Sequence, residues 1–162
     1  MAYERSVMDQ VLSHVLAAVR RAHLLPTIAL NTHVVASQGV RDFIEGILGS
    51  VVNLAVSPGC TVRATSCHVN DVVLYWSVDK IHVYCGEILL LADADGLPLA
   101  VIDQWDRVSA NAEQGVAVFS RRRLTTLVDA EDIMHCCCYS ISGSEVRVLV
   151  PWHLRTAIGR SL

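Results

Sequence analysis

The chain has 162 residues, enough for one domain with a sizeable core, and 52% hydrophobic against 18% charged residues exclude a disordered tail. A formal net charge of −3 supports neither a nucleic-acid-binding nor a membrane-binding surface. No apolar run approaches the roughly 20 residues that span a bilayer, and the opening MAYERSVMDQ lacks a signal-peptide core, so a cytoplasmic address is expected.

In chain order, Ser6 and Asp9 start a first helix over residues 6–23, and Pro26 stops it. Residues 27–36 are β-branched and apolar and predict one or two short strands. The strongest periodic signal follows. Val40, Phe43, Ile44, Ile47, Leu48, Val51 and Leu54 recur at i, i+3, i+4 and i+7, which predicts an amphipathic helix over residues 37–56 with one wide buried face. Ser37 is its expected cap, and Pro58 and Gly59 its stop. Gly46 and Gly49 inside it cost about 1 kcal/mol each relative to alanine, which implies a close approach of a neighbouring backbone or ligand.

Residues 61–78 predict a hairpin turning at Asn70 and Asp71. KIHVYC and EILLLA read as two strands separated by Gly86, Asp93 to Gly96 as a loop, and LPLAVI as the start of another strand. Residues 103–114 are polar and read as a loop or short helix holding Trp105. Residues 115–128 read as a helix, because Val116, Phe119, Leu124, Leu127 and Val128 roughly share one face. The chain closes with IMHCCCYSI, a turn at Ser142, Gly143 and Ser144, and a strand placing Val146, Val148 and Val150 inward. The expected fold is a single α/β domain over residues 1–162, a two-layer α/β sandwich with a mixed, mainly antiparallel sheet and helices on one face.

The six cysteines are expected to be reduced and mostly buried, since three are consecutive and no C-x-x-C spacing exists. A metal or redox role for His135 to Cys138 is the minor alternative, and the same strand would put His135 and Cys137 on one face and Cys136 and Cys138 on the other. Arg121, Arg122 and Arg123 read as a solvated face, with an acidic partner or phosphate as the alternative. Trp105 reads as a cap on the core, with a partner anchor as the alternative.

Three segments carry a family resemblance. The helix over 37–56 followed by PGCTVRA resembles the asparagine-box helix and strand of the histidine-kinase-type ATPases, the GHKL superfamily of sensor kinase, gyrase, chaperone and anti-sigma-factor ATP-binding domains. The run from Gly115 to Leu124 is similar to that family's glycine-leucine-glycine-leucine segment, and Gly143 to Pro151 to its closing turn and strand. The resemblance implies a nucleotide cleft beside the 37–56 helix, but the ligand-binding positions depart from it. Gly46 and Ser50 stand where the family has two asparagines, with Asn53 on a different helical face. No Asp-x-Gly-x-Gly box is present: Asp79 leads into Lys80 without glycine, and Asp93, Asp95 and Gly96 supply carboxylates and one glycine. Ala117 replaces a box glycine, and neither His14 nor His23 precedes an acidic residue as a phospho-acceptor would.

What the resemblance implies is therefore a degenerate, non-catalytic regulatory module that binds a signalling protein such as a kinase, response regulator or transcription factor, with a homodimer compatible. No catalytic or metal-ligating residue is expected and no cofactor is needed. Should ATP and magnesium still bind, Ser50, Asp93, Asp95, Gly96 and Gly115 are the expected contacts. Two rivals remain: a divergent ATP-binding protein kinase or anti-sigma-factor kinase, and a dimerising scaffold or small-molecule sensor of roadblock type, suggested by EILLLADADGLPLAVID.

Overall fold

The computed structural model describes residues 28–30, 34–62 and 65–159, so the helix expected over residues 6–23 lies outside them. Twelve strands and two short α-helices make up the regular structure of the described residues: β1 (Ile28–Leu30), β2 (Val34–Val35), α1 (Gln38–Leu48), β3 (Leu54–Ser57), β4 (Gly59–Val62), β5 (Thr65–His68), β6 (Val72–Trp76), β7 (Val83–Ala94), β8 (Leu97–Asn111), β9 (Val116–Asp129), β10 (Ile133–Cys136), β11 (Tyr139–Ser142), β12 (Glu145–Leu149) and α2 (Arg155–Gly159). Every strand pairing is antiparallel. The fold is mainly β. This corrects the expected two-layer α/β sandwich, because the segments read as a loop and a third helix are strands.

The backbone of the fold is the meander β6-β7-β8-β9, extended by β12 beside β9. Residues 103–114 do not form a loop. β8 runs on through Asn111, and its polar residues sit on exposed or half-buried positions while Trp105 turns inward. Residues 115–128 do not form a helix either. Val116, Val118, Thr125, Thr126 and Val128 are β-branched, and pairing with the whole length of β8 outweighs a rough helical period. Gly86 likewise does not divide two strands. β7 is continuous through it, and a Cβ there would stand 2.5 Å from the Asp103 carbonyl oxygen and 2.5 Å from Ile102 Cγ2, so glycine permits the close approach of β8.

The chain between β9 and β12 joins the two ends of this sheet. β10 pairs β6, and the Cys137 N–H still donates to the Val72 carbonyl at 2.7 Å. One residue later the Cys138 carbonyl accepts from the Leu149 N–H at 2.9 Å, and β11 pairs β12. A single run of chain thus passes from one edge strand to the other and curls the sheet into a barrel-like body, with no strand pairing between β10 and β11 among the described residues. Its interior holds Val72, Leu74, Cys85, Trp105, Ala117, Phe119, Val146 and Val148, and Leu154 and Ile158 of the C-terminal turns pack into the same cluster. The inward alternation of Val146, Val148 and Val150 is as expected.

The second face of β6 and β7 is also covered. Val73, Tyr75, Ile88 and Leu91 pack with Cys60, Val62 and Cys67 of the small sheet β1-β4-β5. Burial on both faces explains why β6 reads as the unbroken apolar run VVLYW. The expected 61–78 hairpin is not formed. β5 returns to β4, while β6 pairs β7 and β10, and Asn70, at φ 74°, lies in the turn that passes the chain from one sheet to the other.

The helix expected over 37–56 is shorter. Ser37 occupies the cap position without a side-chain bond, and Gly49 at φ 85° ends α1. The Asp95 carboxylate then accepts the Val52 N–H at 3.1 Å and the Asn53 N–H at 2.7 Å, which holds the chain for β3. Only Ile44 of α1 is fully buried, against Leu54, Ala92 and Leu99, contributing about 2 kcal/mol of transfer free energy. Phe43 and Ile47 are more than a third exposed. Among the described residues a Cβ on Gly46 would meet nothing within 4 Å, so no close approach by them explains that glycine. No helix among the described residues is long and apolar enough to cross a membrane.

Candidate functional site

The most open part of the barrel wall is β11. β6 begins at Val72, so the chain that pairs with it as β10 has no partner left there once it passes Cys137. Among the described residues β11 pairs only β12, which leaves alternate N–H and C=O groups of Tyr139–Ser142 directed away from the sheet. The sequence YSIS carries no charge or proline to blunt that edge. The register sets Tyr139 opposite Val148 and Ile141 opposite Val146, so both share the face of the buried valines. Yet Tyr139 is 45% and Ile141 49% exposed. Beside them Leu149 points to the opposite face of β12, and Trp152 is 80% exposed with the Arg155 guanidinium 4.9 Å from its ring.

A second feature lies at the middle of β8. The β8–β9 register skips between Gln104 and Asp106, so Trp105 stands against the bulged run from Arg121 to Arg123. The Arg121 guanidinium lies 5.6 Å from the Trp105 ring centre. The arginine run is therefore a bulged strand, not a helix face. A cleft of about 210 Å³ opens beside it, lined by His82, Tyr84, Gln104, Trp105, Arg107 and Phe119 among others. Trp105 is 1% exposed, and its indole N–H has no hydrogen-bond partner among the described residues. Tyr75 donates to Gln104 Oε1 at 2.9 Å, and burial raises the Tyr75 phenol well above its usual range. Arg107 donates to the Ile158 carbonyl at 2.6 Å and so ties the cleft to α2.

The residues expected to contact a nucleotide fall in two places. Ser50 is exposed in the loop after α1, and that loop is fastened to Asp95 by the two backbone bonds just described. Those N–H donors, Asn53 first and Val52 second, hold the Asp95 carboxyl below its usual pKa. Asp95 (φ 53°) and Gly96 (φ 82°) form the two-residue turn between β7 and β8, and Asp93 accepts the Gly96 N–H at 2.7 Å. Gly115 lies beyond the other end of β8, fifteen residues of strand away, or roughly 50 Å of extended chain. There the Arg155 guanidinium fills the space a Cβ would take. Asp93, Asp95 and Gly96 thus have structural partners, Ser50 lies in the loop that Asp95 fastens, and Gly115 is not among them.

The cysteines divide across the barrel wall. Met134 and Cys137 pack with the interior cluster, whereas Ile133 and Cys136 pack with the outer one. A bulge between Ile133 and His135 sets Ile133 on the same face as Cys136, three residues on. All six described cysteines are free thiols. Among the described residues no group of three or more histidine, cysteine, aspartate or glutamate side chains has the geometry of a metal site. The His135 and His153 rings meet edge to face at 6.5 Å, and burial, then the neighbouring His153, lowers the His135 pKa.

Compared with known proteins, the chain matches no protein-family model and no curated protein sequence. The resemblance to the histidine-kinase-type ATPases therefore has no second source of support, and the mainly-β architecture removes the sandwich it implied.

Neither β11 nor the cleft is prominent in the sequence. The one signal for β11 is an uncharged alternation, YSIS, directly after a cysteine run. For the cleft it is a tryptophan between polar residues that do not alternate cleanly.

Proposed function

We propose that the protein is a non-catalytic regulatory module that binds a protein partner, taking an extended segment of that partner as an added strand beside β11. The observation that carries this reading is the uncharged edge strand with Tyr139 and Ile141 half exposed on the face of a buried core. Main-chain pairing to an exposed edge supplies affinity, and the alternate side chains supply selectivity. Leu149 and Trp152 extend the apolar surroundings of the edge, and exposed tryptophan is a residue type that anchors protein interfaces.

The test is selection of binding sequences from a displayed library of random peptides, followed by titration of the selected peptides against the wild type and Ile141→Lys. Expected are peptides with apolar residues at alternate positions, protection of β11 amides from hydrogen exchange, and at least a roughly tenfold loss of affinity in the variant. Selected peptides that bind the variant equally well, or that leave β11 exchange unchanged, overturn the reading.

A second reading, a small-molecule sensor, is favoured by one observation: the Trp105 N–H in the wall of the cleft, which has no partner among the described residues. A ligand with a hydrogen-bond acceptor would satisfy that donor. Its test is a fragment screen followed by Trp105→Phe, which must weaken any cleft ligand that uses the indole.

A further inference from the structure

Three thiols converge where the small sheet meets the barrel. Cys60 and Cys67 are direct cross-strand partners on β4 and β5, both fully buried. Cys136 of β10, separated from Cys67 by 69 positions in sequence, places its Sγ 3.0 Å from the Cys67 Sγ. Cys136 is half-buried, with its Sγ 3.5 Å from the Ser66 carbonyl, and so is the member of the trio that solvent reaches. Sulfur atoms 3.0 Å apart need to close by only about 1 Å to reach the roughly 2.05 Å of a disulfide.

We propose that Cys136 and Cys67 form a peroxide-responsive thiol pair, with Cys136 as the attacking thiol and Cys67 as the resolving one, and a hydroperoxide as the oxidising substrate. The Cys136 thiolate attacks the terminal oxygen of the hydroperoxide. The O–O bond breaks, Cys136 becomes a sulfenic acid, and the leaving alkoxide takes a proton and departs as an alcohol. The Cys67 sulfur, giving up its proton, then attacks the Cys136 sulfur and expels hydroxide, which leaves as water. In sum, two thiols and one hydroperoxide yield one disulfide, one alcohol and one water.

The surroundings suit these roles. The contact between the Cys136 and Cys67 sulfurs holds the Cys136 thiol below its usual pKa, against burial and the nearby Asp71 charge, while the sulfurs of Cys136 and Cys60 push the Cys67 thiol up. Cys138, two residues on, is exposed and serves as an internal reference. The product ties β5 of the small sheet to β10 of the barrel, so oxidation fastens the two sheets together.

The experiment treats the full-length, reduced protein with hydrogen peroxide, quenches with a thiol alkylator and maps the peptides by mass spectrometry. Expected is a Cys67–Cys136 disulfide, with Cys136 lost about tenfold faster than Cys138 at neutral pH. In Cys67→Ser the sulfenic acid at Cys136 persists and is trapped by a dimedone-type reagent. Oxidation of Cys136 no faster than Cys138, or a disulfide that excludes Cys136, overturns the proposal. The wild-type peptide map decides it even where a variant folds poorly.

Discussion

Replacing Gly86 by alanine is a direct test of how β7 and β8 pack. The added Cβ would lie 2.5 Å from the backbone oxygen of Asp103 and 2.5 Å from Ile102 Cγ2, where carbon contacts settle near 3.5–4.0 Å. One obstacle is backbone in a paired strand and the other is a fully buried side chain. Neither is the free end of a flexible side chain, so the strands must part by roughly 1 Å at a cost of about 1–3 kcal/mol. Alanine recovers about 0.5–1 kcal/mol of the backbone entropy that glycine loses in a strand. The net expectation is a loss of about 1–2 kcal/mol. With a urea dependence of about 2 kcal/mol/M, the unfolding midpoint falls by roughly 0.5–1 M. Gly46→Ala is the control of opposite sign, since among the described residues it has open space at an exposed position in the last turn of α1, and it should gain about 0.5–1 kcal/mol. A Gly86→Ala protein as stable as the wild type would refute the close approach assigned to these strands.

Four further outcomes are expected. Asp95 has a lowered folded pKa, so its contribution is present above the unfolded value and is lost as pH falls through the folded one. Thermal unfolding of Asp95→Asn should therefore show a weaker pH dependence than wild type over about pH 5 to 2. Cys137 behaves in the opposite way: burial, then the Cys136 charge, pushes its thiol up to about 12 from 9.0, so stability is lost as pH rises across that interval. Cys137→Ala should flatten that alkaline loss in denaturant titrations, whatever its effect at neutral pH. Trp105→Ala should cost about 3–5 kcal/mol in the barrel interior, whereas Trp105→Phe, which removes an N–H with no partner, should cost well under half of that; equal losses in chemical denaturation would mean the N–H is satisfied in solution. Calorimetric titration with magnesium-ATP should show no binding, because Gly115 stands at the far end of β8 from Asp93, Asp95 and Gly96; micromolar affinity would restore the nucleotide-binding alternative.

What the sequence by itself determined were local matters, where the deciding forces act between near neighbours. The Asp95-Gly96 turn follows from residues that tolerate a left-handed backbone, and the inward set Val146, Val148 and Val150 from strict alternation on a half-buried strand. The existence of α1 and the burial of Ile44 follow from helical spacing, although its stop at Gly49 comes earlier than the expected one at Pro58 and Gly59. Tertiary structure decided the rest. Residues 103–128 carry polar, arginine and β-branched residues in no clean period, and only pairing between β8 and β9 makes them strands. Gly86 looked like a break because nothing local reveals that another backbone passes beside it. The barrel closure, the open edge of β11 and the contact between Cys67 and Cys136 all come from one event, the crossing of residues 133–142 from β6 to β12. Which strand a segment pairs with is set by chain closure over long separations, and the residue types of a single segment leave that choice open.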